Sequence, residues 1–444
     1  MKKKREEIPG RDAFRSRMGF IVACVGSAVG MGNIWMFPYR TGKFGGAAFL
    51  IPYFIFVVLL GFSGVIGEMA FGRSMGTGPA GAFEKAMKLR GKKGGKLIGL
   101  IPVIGSLGIA IGYSVVVGWF LKYLCGALAG NLGKVGDMGA YFGALAGNFG
   151  SIGWHMLGLA ITFAIMLFGV SRGIEKMNKV MMPAFFVFFV ILLVRVFTLE
   201  GASEGYRYLF IPRWESLADV KTWVYALGQA FFSLSLAGSG TIVYGSYLKK
   251  DADVVSCGRN VAIFDTCAAL LAGMVVIPAV FAFGLDVSAG PPLMFITLPA
   301  VFQKMPFGWL FSVIFFVAVL FAAITSLVNL FETPIEALQE QFRMSRKMAV
   351  GIVAFVAAAV GIFIESADAV SRWMDVVSIY IIPLGALLAA VMFFWVCPKG
   401  YAREHVQLGR RKKLGRWFEP VTKYLFVGLT LVVYVLGILF GGIG

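Results

Sequence analysis

The chain of 444 residues has few charged side chains for its length. Asp, Glu, Lys and Arg make up 14% of it, whereas a typical soluble domain contains about 25% charged residues. Hydrophobic residues make up 59%, against about 45–50% in soluble domains. One globular core cannot bury that much apolar surface, so this composition excludes an ordinary soluble enzyme.

Histidine and cysteine are scarce as well. The two histidines, His155 and His405, stand far apart in the sequence, which excludes a histidine-based metal site. No set of nucleophile and base stands out, so we expect a protein without enzymatic activity. The five cysteines lie within or at the ends of apolar segments and lack metal-ligand spacing, so we expect free thiols at Cys24, Cys125, Cys257, Cys267 and Cys397.

The charged residues form short clusters between long uncharged runs. Despite the net charge of +18, this pattern excludes a nucleic-acid-binding face and is typical of a membrane protein. A spanning helix needs about 20 mainly apolar residues, and eleven stretches qualify. We expect spans at about residues 14–40, 46–73, 98–128, 152–170, 176–199, 220–249, 255–283, 309–341, 346–364, 369–397 and 418–442.

The distribution of positive charge predicts the orientation of these spans. With a cytoplasmic N-terminus, the segments on that side contain 31 of the 41 Lys and Arg residues, as the positive-inside rule requires. We therefore expect a multi-pass protein of the inner (cytoplasmic) membrane with its N-terminus inside and its C-terminus outside. The basic clusters at residues 2–5 and 410–413 are interpreted as topology signals beside anionic lipid, with a specific lipid-regulatory role as the alternative.

Two of the expected spans contain a run of small and polar residues. The first run is Gly26–Asn33 (GSAVGMGN), and the second is Ser233–Gly240 (SLSLAGSG). Small residues also allow close helix packing in membranes, which is the structural alternative. Each run opens a set of five spans, however, which suggests two repeats. Interrupted segments at matching positions of two repeats indicate the mid-membrane site of a transporter.

An interrupted helix offers chemistry that an intact helix lacks. Unwinding frees carbonyl groups that lipid cannot satisfy, and carbonyl, hydroxyl and amide oxygens suit a small hard cation such as Na⁺. The N-termini of the half-helices offer amide hydrogens to a carboxylate. The two runs therefore predict a site that holds a cation beside a carboxylate-bearing solute. A channel would instead require a repeated pore motif or a ring of charges, and neither appears.

Five motifs occur in the same order as in a known family: Gly26–Tyr39, Gly45–Tyr53, Glu68–Arg73, Gly228–Ser235 and Ala322–Ser326. On these motifs the chain resembles the neurotransmitter:sodium symporter family, in its bacterial branch of eleven helices. The resemblance implies an all-α integral membrane protein with two inverted five-helix repeats, in which helices 1 and 6 are broken. It also implies Na⁺-coupled import of amino acids or related compounds by alternating access.

The resemblance divides the chain into segments. They are a cytoplasmic N-terminal tail (1–13), a first five-helix repeat (14–199), an extracellular loop (200–219), a second five-helix repeat (220–397), a cytoplasmic loop (398–417), and an eleventh helix with the C-terminus (418–444). The expected partners are an amino-acid substrate and the lipid bilayer, without nucleic acid, and the chain is expected to be a monomer or homodimer. A proton-driven or uncoupled amino-acid carrier of the same fold is the alternative function.

The resemblance further implies two Na⁺ sites. The first would use Ala28, Asn33, Ser233 and Asp265, together with the carboxylate of the substrate. The second would use Gly26, Val29, Ala322, Thr325 and Ser326. Adjacent hydroxyls in an apolar helix agree with the second assignment, although hydroxyls also bond to carbonyls of their own helix.

A substrate pocket is implied at the same level of the membrane. Its candidates are Ser27, Ala28, Gly30, Met31, Gly32, Ile109, Tyr113, Phe232, Ser233, Ser235, Gly238, Ser326 and Leu330. Tyr113 matches the tyrosine that binds the substrate carboxylate. Gly30 stands where amine-transporting relatives have an acidic residue, which favours an amino acid, and the uncharged pocket favours a neutral one. Gly238 leaves room for an aromatic substrate, although backbone flexibility explains this glycine equally well.

Asp265 is the most informative ionisable residue. A mid-membrane Asp costs about 2.5–3.5 kcal/mol, so it indicates function unless it lies at the interface. Animal relatives bind Cl⁻ with residues that match Tyr53, Gln229 and Ser233, close to Asp265. Because the carboxylate of Asp265 would offset the charge of Na⁺, we expect no chloride requirement. Protonation of Asp265 on the return stroke would give H⁺ antiport.

The two gates match the family unequally. Met36 replaces the usual arginine of the outer gate, while the acidic candidate, Asp375, is present. Arg40 lies one helical turn beyond Met36. Three interpretations are open: Arg40 supplies the missing charge, Arg40 extends to water as an ordinary interfacial residue, or the gate closes by packing of Met36. The inner gate is implied at Arg11, Phe14, Tyr247 and Glu340, for which solvated surface is the alternative.

Overall fold

The computed structural model describes residues 14–236, 239–287, 290 and 293–443, and across these ranges the regular structure is entirely helical. Among the described residues, eight helices are long and apolar enough to cross a bilayer. They are α3 (Ala47–Met75), α5 (Gly95–Leu128), α8 (Val170–Phe197), α12 (Val254–Ala282), α14 (Gly308–Phe342), α15 (Arg346–Ile364), α16 (Ala367–Val396) and α18 (Phe418–Phe440). The predicted all-α membrane class is thereby confirmed.

Shorter helices complete the chain. In order they are α1 (Arg17–Ala28), α2 (Gly32–Lys43), α4 (Pro79–Lys88), α6 (Met138–Leu145), α7 (Ile152–Leu167), α9 (Ala202–Phe210), α10 (Val220–Ser233), α11 (Gly240–Ser246), α13 (Leu293–Lys304) and α17 (Tyr401–Gln407). Several begin at side-chain caps that the sequence provides. Ser16, Asp219 and Asp253 accept hydrogen bonds from the first free amides of α1, α10 and α12.

Helices α1 and α2 together form one bent element. Their axes differ by 50° across a break of three residues. Val29, at the end of α1, has extended backbone angles (φ −71°, ψ 105°), so the helical hydrogen-bond pattern stops there. The run of small residues at Gly26–Asn33 is therefore the place where this helix changes direction.

A second interruption separates α10 from α11. Ser235 and Ser239 have positive φ angles of 56° and 51°, in the left-handed region that ends a right-handed helix. Residues 237 and 238 lie outside the described ranges, and the substrate prediction for Gly238 falls there. On either side of this interruption, α10 packs against the first half of α3, and α11 packs against its second half.

The two interrupted elements lie inside a ring of longer helices. Helix α1 contacts α8, α12 and α14, while α2 contacts α12, and α5 packs along α14. The most apolar stretch of α5 is 78% buried within the protein, whereas those of α18 and α8 are only 22% and 28% buried. Their exposed apolar faces require a lipid environment, because water would not tolerate so large an uncovered surface.

Candidate functional site

The break between α1 and α2 presents backbone groups to the centre of the protein. The amide of Val29 donates the last bond of α1 to the carbonyl of Val25, at 2.7 Å. The amide of Gly30 donates to Oδ1 of Asn33 at 3.0 Å, so the side chain of Asn33 holds the unwound turn. The sequence folds this way because Gly30 and Gly32 bring no side chain into the turn.

A polar cluster joins this turn to two other helices. Nδ2 of Asn33 donates to Oγ of Ser233 in α10 at 3.0 Å and to Oδ1 of Asp265 in α12 at 2.7 Å. The hydroxyl of Ser233 donates to Oδ2 of Asp265 at 2.7 Å. All three side chains are at most 1% exposed. The structure thus brings together three of the predicted ligands of the first cation, and Asp265 is buried inside the protein.

The cluster contains one acidic group, the carboxyl of Asp265. Within the described residues Asp265 has hydrogen-bond donors and no basic ion-pair partner. A buried carboxylate without a cationic partner is costly, so a bound cation or a proton must neutralise it. Hydroxyl and carboxylate oxygens are ligands that a hard cation prefers, so Ser233 and Asp265 fit Na⁺, while Oδ1 of Asn33 accepts from the Gly30 amide. Ala28, the remaining predicted ligand, is buried at the last turn of α1.

Three of the four residues predicted to match an anion site lie together, namely Tyr53, Ser233 and Asp265. Ser233 and Asp265 are bonded to each other, but the amide of Gln229 is occupied, because its Nε2 donates to the carbonyl of Gly32 at 2.8 Å. The hydroxyl of Tyr53 is also buried and faces Ser233, Thr266 and Asp265. The carboxyl group of Asp265 therefore lies beside the predicted anion residues.

The predicted second cation site lies between α1 and α14. Thr325 is fully buried, and its hydroxyl lies 3.0 Å from the carbonyls of Phe321 and Ala322, so it bonds to its own helix. The side chain of Thr325 is close to Gly26, where an added Cβ would lie 3.1 Å from the Cβ of Thr325. Gly26 and Thr325 are thus neighbours, as the prediction requires.

Asn178 of α8 is a member of this region that the sequence did not reveal. Its Nδ2 donates to the carbonyl of Ile174 at 2.8 Å, while its Oδ1 is buried without a described partner. A side chain at Gly26 would collide with this Oδ1. A lone amide in an apolar span was the available signal, but its neighbours become known only in the folded protein.

Two of the predicted substrate residues donate hydrogen bonds to the carbonyl of Ser27. It accepts hydrogen bonds from the hydroxyls of Ser235 at 2.8 Å and of Ser326 at 3.2 Å. The amide of Met31 donates to the hydroxyl of Tyr113 at 3.0 Å. A Cβ on Gly30 would lie 2.9 Å from the Tyr113 hydroxyl oxygen, so a side chain has no room at this position.

Apolar side chains cover the other side of this centre. Ile109, Phe232 and Leu330, all predicted pocket residues, pack together with Val377 and Ile382 of α16. Trp373 also joins the group, and its indole donates to the carbonyl of Gly108 at 2.7 Å. The sequence does not predict the residues of α16 in this group, because an apolar residue in a span does not indicate which helix it will contact.

The outer-gate residues are not brought together as an ion pair. Arg40 is only 5% exposed, which contradicts the interpretation that it extends to water. Its Nη1 lies 3.3 Å from Oε1 of Gln229, and its guanidinium carbon lies 5.6 Å from the centre of the Tyr225 ring. Asp375 is exposed, and Met36 is half-buried. The buried guanidinium of Arg40 thus contacts an amide and an aromatic ring rather than a carboxylate.

The inner end differs from the predicted grouping of Tyr247 with Glu340. The hydroxyl of Tyr247 donates to Glu332 at 2.9 Å, and Arg346 pairs with Glu332 at 2.8 Å. Glu340 accepts a hydrogen bond from Thr77 instead. Glu332 lies two turns earlier in α14, where it is buried and needs a cation. Phe14 packs edge-on against Tyr244 and Tyr247, while Arg11 falls outside the described residues.

A model of the sodium:neurotransmitter symporter family matches residues 11–135 and 142–436. The chain belongs to the sodium:neurotransmitter symporter family. The predicted resemblance is therefore confirmed, and the protein is a multi-pass membrane member of a transporter family.

Relatives of this symporter-family chain cover most of its length. An uncharacterized sodium-dependent transporter of Bacillus subtilis, YhdH, is 36% identical over 75% of this chain and 73% of its own. An uncharacterized sodium-dependent transporter of Methanocaldococcus jannaschii is 32% identical over 96% of this chain and 90% of its own. Among solved structures, MhsT in complex with L-phenylalanine matches with a TM-score of 0.86 at 34% identity, covering 96% and 99% of the two chains.

Proposed function

We propose that this protein is a Na⁺-coupled symporter that imports neutral amino acids with hydrophobic or aromatic side chains by alternating access. The observation that carries the proposal is the buried cluster of Asn33, Ser233 and Asp265 beside the unwound turn. It joins three helices around one carboxylate without a basic partner among the described residues. Binding of a cation would therefore hold the three helices in one arrangement, and release would free them.

Eleven spans in two inverted repeats accommodate this site. The eleven spans are the eight long helices, the bent pair α1–α2, the apolar helix α7, and α10 with α11, which together form the interrupted sixth span. The N-terminus is cytoplasmic and the C-terminus lies outside. The bilayer is the inner membrane of the cell.

The substrate is held by its backbone atoms on one side and by apolar contacts on the other. The hydroxyl of Tyr113 and the amides at the break bind the carboxylate, which also completes the first Na⁺ site. Ile109, Phe232 and Leu330 contact the side chain. These groups bring no charge, which supports a neutral amino acid. The similarity to MhsT, whose structure contains L-phenylalanine, supports an aromatic or hydrophobic one.

Two Na⁺ ions accompany the substrate. Asp265 supplies the negative charge at the first site, so the cycle proceeds without chloride. The second ion is held by neutral oxygens of α1 and α14 near Gly26 and Thr325. Inward movement of Na⁺ down its gradient then drives accumulation of the amino acid.

A binding panel tests the proposal directly. Purified protein in detergent is presented with each of the twenty amino acids, with Na⁺ or with an equal concentration of K⁺, and heat release or scintillation proximity reports binding. We expect one or a few hydrophobic or aromatic amino acids to bind tightly in Na⁺ and weakly in K⁺. Equal affinity in K⁺, together with uptake into vesicles driven by a proton gradient, would replace the proposal with the proton-driven carrier.

A further inference from the structure

A cavity of about 110 Å³ lies where α16 ends and α18 begins, away from the site described above. The last turn of α16, the start of α17 and the first turns of α18 enclose it. Four lining residues are basic, namely Arg90, Lys399, Arg403 and Lys423, against the acidic Glu419. The cavity therefore carries an excess of positive charge. It lies at the end of the molecule that the charge distribution predicts to be cytoplasmic.

The two arginines are held in place without being neutralised. Nε of Arg90 donates to the carbonyl of Val396 at 2.8 Å, and its Nη2 lies 3.3 Å from the carbonyl of Cys397. Nη2 of Arg403 donates to the carbonyl of Leu414 at 3.0 Å. Carbonyl groups orient a guanidinium but leave its net charge, so both arginines still attract an anion.

The two lysines point to a ligand at the membrane surface. Lys399 is exposed and makes no hydrogen bond or ion pair with the residues the structure describes. Nζ of Lys423 lies 4.9 Å from the ring centre of Trp395 and 5.8 Å from that of Tyr424. Both rings are largely exposed, at 47% and 61%. Exposed aromatic rings beside lysine are typical of the level at which lipid headgroups lie.

The surface beyond the cavity is apolar. Helix α18 is one of the least covered spans, and Leu425, Leu431, Val432 and Val435 are all exposed along it. A ligand with an anionic head and long apolar chains matches both surfaces at once, because its head meets the basic residues while its chains follow α18. A free phosphate would use only the first of these surfaces.

We propose that this cavity binds the phosphate headgroup of an anionic phospholipid, whose acyl chains lie along α18. The cavity joins the loop before α17 to the last two spans. The bound lipid would therefore fix the loop of residues 398–417 against the membrane. The basic cluster at residues 410–413 belongs to the same loop but does not line the cavity.

Native mass spectrometry of the full chain, released from detergent containing phosphatidylglycerol or phosphatidylcholine, tests this assignment. We expect the wild-type protein to retain phosphatidylglycerol in preference to phosphatidylcholine. The variant Lys399→Gln/Lys423→Gln should bind phosphatidylglycerol roughly thirtyfold more weakly, since each lysine that faces the bound headgroup strengthens the attraction about fivefold. The control, Lys412→Gln/Lys413→Gln, removes the same amount of charge from the neighbouring part of the loop, outside the cavity, and should keep the wild-type affinity.

Other outcomes overturn the assignment. Equal losses in the two double variants would make the attraction a diffuse surface effect rather than a site. Displacement of phosphatidylglycerol by excess inorganic phosphate would identify a free anion as the ligand. The single variant Lys399→Gln changes an exposed side chain, so it tests the proposal even if the double variant fails to fold, with about fivefold weaker binding expected.

Discussion

The two predicted cation regions differ in how their oxygen atoms are used. Around Asp265, a fixed carboxylate receives hydrogen bonds from Asn33 and Ser233, and three helices meet at one charge. Around Thr325, the groups are neutral, one hydroxyl bonds to its own helix, and the Oδ1 of Asn178 has no described partner. The first region depends on charge and the second on the placement of neutral dipoles. Loss of one group should therefore cost more in the first.

The largest effect is expected from Asp265→Asn. The variant keeps the shape but removes the charge that offsets Na⁺, so the Na⁺ affinity should fall roughly a hundredfold, as when one partner of a buried charged pair is lost. Substrate binding titrated with Na⁺ in chloride-free buffer measures this. Wild-type binding should not change when chloride is removed. A variant that bound Na⁺ as tightly as wild type without chloride would contradict the role of Asp265.

A smaller effect is expected from Thr325→Val, which keeps the volume and removes one neutral oxygen. The Na⁺ affinity should fall about tenfold, the size of a hydrogen bond to a charged group. Thr162→Val is the matched control, because Thr162 is equally buried and bonds to the carbonyl of Gly158 at 2.8 Å in α7. If both variants bind Na⁺ with the same affinity, the hydroxyl of Thr325 only forms hydrogen bonds within its own helix and does not bind Na⁺.

Asn178→Ala should weaken Na⁺ binding about fivefold, because it removes a neutral dipole whose oxygen lies beside Gly26 rather than a charge. The same titration measures it, with thermal unfolding in the absence of Na⁺ to register any loss of stability. An unchanged Na⁺ affinity would remove Asn178 from the second region and leave it as a bond within α8.

The smallest effect is expected from Arg40→Ala. Arg40 contacts Gln229, which in turn bonds to the carbonyl of Gly32, so it acts on the unwound turn only through an intermediate. Uptake into vesicles should slow about threefold while equilibrium substrate binding at saturating Na⁺ stays unchanged. A loss of binding as large as that of Asp265→Asn would place Arg40 in the cation site itself.

Much of the fold could be predicted because its signals are local. Long uncharged runs predict spans, and small residues at Gly26–Asn33 predict the bend that the structure contains between α1 and α2. The grouping of Asn33, Ser233 and Asp265 was also accessible, since each is a polar residue in an apolar span and the first two belong to motifs of a known family.

The remaining features depend on contacts between distant parts of the chain. Glu332 and Glu340 both lie near the end of α14, and only packing decides that Tyr247 and Arg346 reach the former. The burial of Arg40 likewise follows from the position of Gln229, 189 residues away in the chain. Val377 and Trp373 join the apolar pocket through the orientation of α16, which no residue pattern specifies.

The crowding at Gly30 limits how this chain could evolve. Any Cβ at that position would lie 2.9 Å from the Tyr113 hydroxyl and 3.0 Å from that of Ser326, so neighbouring atoms would have to give way first. The nearest atoms belong to the side chains of Tyr113 and Ser326, so a residue larger than glycine displaces one of these hydroxyl groups. A larger side chain at position 30 therefore requires movement or replacement of a residue on α5 or α14.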